Sequence, residues 1–333
     1  MRYHRVRSPA LLRAAARTVA LYWCVLTLTF ALLHLAPGDP ATFLLPPGGS
    51  AADATRLRAE LGLDRPLAVQ YARWLRATLR GDLGTSFTDR RPVAATIGDA
   101  LPVSLALGGS SLLLSFLVGI AAGLVQAARR GTAVDRTLTA TSVVLAASPA
   151  YWLGLGAIAC FTYLASSLSM PMWMRLPAVG MTTPGIDLHG VAHLADLLRH
   201  SILPVTLLSA IGAAGVARYV RTSALDAIGA DWLRTARAKG LPERLVMQRH
   251  LLANLRAPLV TLFALALPGT VAGSVFIETI FGWPGMGRLM VTSIVGRDYP
   301  VVLGCAATYA AVVIVANLVA EWLLPWADPR IEA

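Results

Sequence analysis

The sequence predicts an all-α polytopic membrane protein with six transmembrane helices, both termini in the cytosol and one small helical subdomain outside. Of its 333 residues, 56% are hydrophobic and 14% are charged, whereas about a quarter of the residues in an ordinary soluble domain are charged. The mean hydropathy of +0.62 excludes a disordered chain, which combines low hydrophobicity with high charge. Six helices of about 20 residues, each able to cross a hydrocarbon core of about 30 Å, fit within this length and leave room for loops.

The predicted spans follow runs of sequence that lack Asp, Glu, Lys and Arg. The third run, Thr137–Met174, has 38 residues and would be about 57 Å long as one helix, so we expect Pro171 to end its helical part. The first run follows a basic leader but ends at Pro37 rather than at a small-x-small cleavage site, so we expect a retained helix and not a signal peptide. The six predicted spans are residues 18–36, 101–128, 137–166, 199–221, 257–279 and 299–324.

The orientation of these spans is predicted from the basic residues. With the N-terminus inside, Lys and Arg number 17 in the inner segments and 4 in or beside the short outer loops, residues 167–198 and 280–298. A further 8 lie in the long segment 37–100, which crosses a membrane largely regardless of its charge. We therefore expect residues 1–17 and 325–333 to be cytosolic. The inner excess also accounts for the net charge of +11 through topology and anionic lipid, so no nucleic-acid partner is expected.

The outer segment 37–100 contains a predicted amphipathic helix. Apolar and aromatic side chains recur at helical spacing between Leu67 and Leu79, with Pro66 near the first turn and Gly81 placed to end the helix. We expect a small helical cap. It either lies on the membrane or the bundle, or contacts the solute directly, and a contact surface for an extracellular partner is a further alternative.

The inner loop, residues 222–256, is far longer than two neighbouring helices need for a connection. Ser223 followed by Asp226 is a capping-box pattern, which predicts a short helix that stops at Gly229.

A second inner helix is predicted over Trp232–Lys239, with Asp231 as its cap and Gly240 as its stop, and Pro242 is predicted to open a third. Short helices held across the inner face form a rigid projection, which can pass force from a cytosolic partner into the membrane. The alternative is a basic amphipathic helix that lies on lipid.

Residues Arg234–Leu241 (RTARAKGL) resemble the EAA loop of ABC importer permeases in the form found in peptide transporters. The wider family begins this loop with Glu-Ala-Ala, and here Arg234, Thr235 and Ala236 stand in that place. One outer stretch departs from the family, because Val179 stands where its Leu-Pro-x-Gly-Gly pattern has the first Gly. The other blocks resemble the B-type permease of peptide and nickel importers in the same order: His34–Pro40 (HLAPGDP), Leu61–Leu75 (LGLDRPLAVQYARWL), Gly81–Ser86 (GDLGTS), Glu278–Leu289 (ETIFGWPGMGRL), Arg297–Val302 (RDYPVV) and Asp328–Ile331 (DPRI).

The resemblance implies a type I ABC importer permease, a multi-pass B-type subunit in the bacterial inner membrane. It implies a pathway for peptides, first of all dipeptides and oligopeptides, with nickel complexes and glutathione as alternatives. The implied partners are a second homologous permease subunit, two cytosolic ATPase subunits, an extracytoplasmic solute-binding protein and membrane lipid. The residues implied to contact the ATPase are Asp231, Arg234, Thr235, Ala236, Lys239, Gly240 and Leu241.

The sequence lacks the motif of an ATPase. A P-loop needs Gly-Lys followed by Ser or Thr, and the only lysine, Lys239, is followed by Gly240. We therefore expect this chain to be no enzyme and to hold no cofactor, with ATP and Mg²⁺ bound by partner subunits. No metal site is predicted either, because His189 and His193 lack the Glu of a zinc motif and the three cysteines fall inside predicted spans.

Two ionisable residues are candidates for the translocation path: Glu278, where the fifth span leaves the bilayer, and His34, at the outer end of the first span. Each has a structural alternative. Glu278 would then be an interfacial carboxylate fixed by backbone N–H groups, and His34 a hydrogen-bonded interfacial side chain.

A self-contained secondary transporter is the alternative function of a different class. Such proteins usually show internal repeats and paired broken helices, and the sequence indicates neither. ATP-dependence of uptake separates the two classes.

Overall fold

The computed structural model describes residues 8–45, 48–228, 230–272 and 274–327. Within these ranges the regular structure is helical, and one isolated antiparallel bridge joins Thr85 to Pro92. This confirms the all-α class.

The helices, in chain order, are α1 (Ser8–Leu35), α2 (Pro40–Phe43), α3 (Ala51–Glu60), α4 (Leu67–Thr78), α5 (Val93–Ala128), α6 (Ala133–Ala147), α7 (Ala150–Ile158), α8 (Ala165–Ser167), α9 (Gly190–Ile228), α10 (Asp231–Ala238), α11 (Glu243–Leu245), α12 (Leu252–Ala266), α13 (Gly269–Ala272), α14 (Val275–Ile280), α15 (Met286–Val295) and α16 (Tyr299–Ala327). Two π-helical segments, Ala159–Leu164 and Val246–Leu251, and a 3-10 turn, Met172–Met174, complete the set.

Among the described residues, five helices are long and apolar enough to cross a membrane. They cover Ala16–Leu35, Val93–Ala128, Ala150–Ser167, Gly190–Ala227 and Tyr299–Leu323. The predicted fifth span, 257–279, is not among them, because it is divided over α12, α13 and α14. The count of six spans and the cytosolic termini stay predictions.

Two predicted spans are interrupted by proline. In span 137–166, α6 ends before Ser148, whose backbone is extended (φ −83°, ψ 135°), as the ring of a following proline favours. Pro149 then opens α7. In span 257–279, α12 ends two residues before Pro268, which has no N–H to continue the helical ladder. Pro149 and Pro268 thus coincide with breaks in helices that hydropathy alone predicted to be continuous, whereas α5, α9 and α12 continue through Pro102, Pro204 and Pro258.

The helical part of the third predicted span, residues 137–166, ends at Ser167 of α8, before Pro171.

The fourth predicted span belongs to a longer helix than the hydropathy indicated. Helix α9 continues through Ser223 and Asp226 to Ile228. The capping-box prediction at these two residues is therefore wrong: the chain is already helical there, so no N-terminus exists to be capped. The predicted stop at Gly229 lies outside the described residues.

The chain forms two compact units. One comprises the described parts of residues 1–102 and 289–314, and the other those of 103–288 and 315–333. Helices α5, α15 and α16 contribute residues to both.

In the first unit, the predicted helix after Pro66 is confirmed as α4, with Pro66 as its N-cap. The unit also contains a group of hydrogen bonds around the side chain of Asp298. Its carboxylate accepts hydrogen bonds from the Ser86 hydroxyl and from the backbone N–H groups of Phe87 (3.1 Å) and Thr88 (3.2 Å). This buried carboxylate joins two sequence blocks that lie 212 residues apart.

In the second unit, α5 and α9 pack closely through small residues. A Cβ atom added at Gly119 or Gly123 would lie 2.6 Å from the Cβ of Val216 or Val220, respectively, so only glycine permits this approach. About one turn before Gly119 in α5, the Ser115 hydroxyl donates to the carbonyl of Ser209 in α9 (3.1 Å). Small residues that let backbones approach are the usual basis of helix association in a membrane.

Candidate functional site

Helix α10 and the turn after it contain the residues that resemble the EAA loop. Its N-cap is Ala230, whose side chain makes no capping bond, and Asp231 is the first helical residue. The predicted cap at Asp231 is therefore wrong by one position, although a carboxylate in the first turn still interacts favourably with the helix dipole. At the other end, Gly240 has φ +74°, the left-handed conformation expected of a helix stop.

Helix α10 is held to the protein by one apolar face. Leu233 is fully buried and Ala236 is 4% exposed. They belong to a core cluster that includes Val220 and Ala224 of α9, and Val246 and Leu251 of the π-helical segment. We call the two side chains Leu233 and Ala236 the inner face of α10.

The inner face includes one residue of the predicted ATPase contact. Ala236 was predicted to contact an ATPase, but its side chain packs against the chain's own core. Spacing alone would allow Ala236 to share a face with Gly240, four residues on, but in the folded helix it shares one with Leu233, three residues back. Both spacings lie on one side of a helix, and the burial partners decided between them.

The opposite side of α10 is exposed. We call it the outer face, and it consists of Asp231, Trp232, Arg234, Thr235, Ala238 and Lys239. Trp232 was not among the predicted site residues, although its large apolar surface is 38% exposed. Gly240 is also exposed and Leu241 is half-buried, next to the helix end.

An ion pair links α10 to the following helix. The guanidinium of Arg237 donates to both carboxylate oxygens of Glu243, at 3.1 and 2.8 Å. These hydrogen bonds hold the pKa of the Glu243 carboxyl below its usual value. The pair closes the turn around Gly240 and so connects α10 to α11.

A second ion pair anchors α9 to the start of α6. Arg221 donates to the two oxygens of Asp135 at 2.8 and 2.9 Å, and the backbone N–H of Gly131 donates to the same carboxylate at 3.0 Å. The Arg221 guanidinium holds the pKa of Asp135 well below its usual range. Sequence reasoning missed this pair, because its members are 86 residues apart.

Glu278 is fully buried, and its carboxylate accepts four hydrogen bonds. One oxygen accepts from the hydroxyls of Ser104 (2.6 Å) and Ser274 (2.5 Å), and the other from the backbone N–H groups of Gly287 (2.7 Å) and Arg288 (3.1 Å). The glycines leave room for it, because a Cβ at Gly285 would lie 2.5 Å from this carboxylate. The carboxylate thus ties α5, α14 and the first turn of α15 together.

His34 is half-buried in the first unit. Its ring stacks on Phe30, with 4.0 Å between the ring centroids, and contacts the edge of Tyr299 at 5.2 Å. Its Nδ1 lies 2.9 Å from the carbonyl oxygen of Phe30. His34 also lines a cavity between α1, α4 and the start of α16.

The described residues contain no group of three or more His, Cys, Asp or Glu side chains that could hold a metal ion. The candidate site is instead a short helix, α10, with one exposed face, and a core cluster and ion pairs hold this helix in place.

Two family models match the chain. Residues 9–108 match the N-terminal model of the binding-protein-dependent transport system membrane component, and residues 115–333 match the model of the binding-protein-dependent transport system inner membrane component.

Full-length relatives agree with these matches. The oligopeptide transport system permease protein AppB of Bacillus subtilis (strain 168) is 36% identical over 97% of this chain and 98% of its own length. The probable D,D-dipeptide transport system permease protein DdpB of Escherichia coli (strain K12) is 37% identical over 92% of each chain. The glutathione transport system permease protein GsiC of Salmonella paratyphi A is 36% identical over 92% of this chain and 93% of its own.

Proposed function

Because the chain belongs to the family of binding-protein-dependent transport system inner membrane components, we propose that it forms part of the peptide pathway of an ATP-driven importer. It is an inner-membrane permease subunit and not an enzyme. In this proposal a second homologous permease subunit completes the pathway, two cytosolic ATPases bind ATP and Mg²⁺, and an extracytoplasmic binding protein delivers the solute.

The observation that carries this proposal is the similarity over nearly the whole chain to permeases whose names specify peptides. The oligopeptide and D,D-dipeptide permeases cover at least 92% of the chain. Glutathione is the second candidate solute, because a glutathione permease is similar over the same share of the chain. Nickel complexes are a third, supported only by the sequence blocks described above.

We further propose that the ATPase docks on the outer face of α10. An eight-residue helix is too short to be stable alone in water, so its position depends on the buried inner face and on the Arg237–Glu243 pair. A helix fixed in this way can transmit displacement instead of unwinding. The exposed Trp232 and Arg234 supply an aromatic ring and a guanidinium, two groups that are enriched among the residues that dominate binding at protein interfaces.

Glu278 has a positioning role in this proposal. Its four hydrogen bonds occupy both oxygens, which favours the structural alternative over direct contact with the solute. The six-span topology of the sequence analysis completes the proposal, with residues 257–279 crossing as interrupted helices. Backbone interruptions at membrane depth are tolerated where protein surrounds them.

Reconstitution tests the function. The chain is placed in proteoliposomes with its cognate permease partner, ATPases and binding protein, and uptake of a labelled dipeptide is compared with that of labelled glutathione. We expect dipeptide uptake that requires ATP and stops when the ATPase is omitted. Uptake that persists without ATP would instead support a secondary transporter, and ATP-dependent uptake of glutathione alone would replace the peptide assignment.

A further inference from the structure

The first unit contains a cavity of about 380 Å³. Its size lies within the range of small-molecule sites, about 300–1,000 Å³. The lining comes from α1, α4, the loop after α4 and the start of α16.

The inner part of the cavity is aromatic and apolar. Phe30, Tyr299 and Leu303 line it and are almost completely buried. Trp74 stacks on Phe30, with 5.5 Å between the ring centroids. Trp74 is half-buried and so still offers surface to an apolar side chain of a ligand, whose removal from water is favourable.

The mouth of the cavity carries opposite charges. Arg73 and Asp82 both line it and both are exposed. They form no ion pair with each other, and within the described part of the chain neither takes part in an ion pair with any other side chain. One oxygen of Asp82 accepts the backbone N–H of Gly84 at 2.9 Å, which holds the carboxylate in place.

We propose that this cavity binds a zwitterionic amino acid or dipeptide, with its apolar side chain against Phe30 and Trp74. The ligand's carboxylate pairs with Arg73, which can donate two parallel hydrogen bonds to it. The ligand's ammonium group pairs with Asp82. The two charges have opposite signs, as the two ends of such a molecule have, and both border the same cavity as the apolar residues.

This site deepens the proposed function and rests on it for the class of ligand, although binding there needs no ATPase and no second permease subunit. In the predicted topology, α4 and the loop after it lie outside, so the ligand reaches the cavity from the outer solution.

Isothermal titration calorimetry on the full chain in phosphatidylcholine nanodiscs tests the site, with L-leucyl-L-phenylalanine as the probe. We expect saturable binding by the wild-type chain. Arg73→Gln should weaken it about tenfold or more, because a charge-assisted pair is lost. The same substitution at Arg76, exposed on the same helix but outside the cavity, is the matched control and should leave the affinity unchanged.

Modified probes assign the charges. The dipeptide amide lacks the carboxylate, so Arg73→Gln should not change its affinity. The N-acetyl dipeptide lacks the ammonium, so Asp82→Asn should not change its affinity while weakening that of the free dipeptide. Ala77→Phe places a ring in the cavity and should abolish binding of all three probes.

Absence of saturable binding to the wild-type chain would overturn the proposal. Equal affinities of the Arg73→Gln and Arg76→Gln variants would also overturn it, since the ligand would then bind elsewhere. Because no ATPase is present in this assay, a failure here is distinct from a failure of ATP-driven uptake.

Discussion

At the scale of single residues, two buried carboxylates connect distant parts of the sequence. Asp298 accepts hydrogen bonds from residues 86–88, and Glu278 accepts them from Ser104, Ser274 and the first turn of α15. Both acids lie in blocks that resemble the permease family. Their place there is explained by structure: a buried charge is tolerated only when several donors surround it.

Replacing Glu278 should destabilise the protein. In Glu278→Gln the amide NH₂ cannot accept a hydrogen bond, so either the two hydroxyls or the two N–H groups lose their acceptor, and each buried unsatisfied group costs about 1–3 kcal/mol. We expect a clearly lower Tm of the purified chain, followed by intrinsic fluorescence. Glu321→Gln, at an exposed position on α16, is the control. An unchanged Tm for Glu278→Gln would contradict the role of the four hydrogen bonds.

The Asp135–Arg221 pair should make stability depend on pH. The pKa of Asp135 is lowered in the folded chain, so the pair's contribution is fully present above the unfolded carboxyl pKa of about 3.9 and is lost as the pH falls through the folded pKa. The wild-type Tm should therefore exceed that of Asp135→Asn from pH 7 down to about pH 4. The difference should shrink only in more acidic buffer. A difference that already vanishes at pH 6 would show that another group titrates.

At the scale of elements, α10 shows how a short helix acquires a definite position. Leu233 and Ala236 bury its inner face, and the outer face stays exposed because it has no partner within the described chain. The two faces should respond differently to the same kind of substitution. Comparing such substitutions distinguishes residues of α10 that pack in the core from residues that contact the ATPase.

Ala236→Leu should lower the Tm and the abundance of the chain, because overpacking a core costs about 1–3 kcal/mol. Ala238→Trp, on the outer face, should leave the Tm unchanged but weaken co-purification of the ATPase, since a bulky ring blocks a close-packed interface. Ala72→Trp, exposed on α4, is the matched control and should change neither. Normal ATPase recovery with Ala238→Trp would favour a helix that lies on lipid.

At the scale of the whole molecule, five helices among the described residues satisfy the length and hydropathy of a membrane span, and the predicted fifth span, 257–279, is interrupted. Basic residues still predict one orientation for the chain. The orientation assigns the segment before α5 and the loop between α5 and α6 to opposite sides.

Labelling of single cysteines tests this topology. Cys24, Cys160 and Cys305 are first replaced by Ala, and a cysteine is then introduced by Thr55→Cys or by Ala133→Cys, both at exposed positions. With a membrane-impermeant maleimide added to intact cells, we expect only the first variant to react. Both should react after the cells are permeabilised. Reaction of the second variant alone in intact cells would reverse the predicted orientation.

The sequence by itself determined the helical membrane class, the approximate positions of the apolar segments and the family resemblance. These properties depend on composition and on local runs of residues, which can be read without knowing any long-range contact. The helix stop at Gly240 was predictable for the same reason, because a left-handed residue after a helix is a local requirement. The stripe of Ser111, Ser115, Gly119 and Gly123 also held a readable signal for close helix packing.

Only the tertiary structure decided which side of α10 faces the core and which donors surround Glu278. Ala236 fits either face by spacing, and the choice came from Val220 and Val246, which belong to other helices. The hydroxyl of Ser104 lies 174 residues from Glu278 in sequence. No local pattern encodes such a pairing, since it arises when the packing of separate helices brings a donor and a buried charge together and leaves neither access to water.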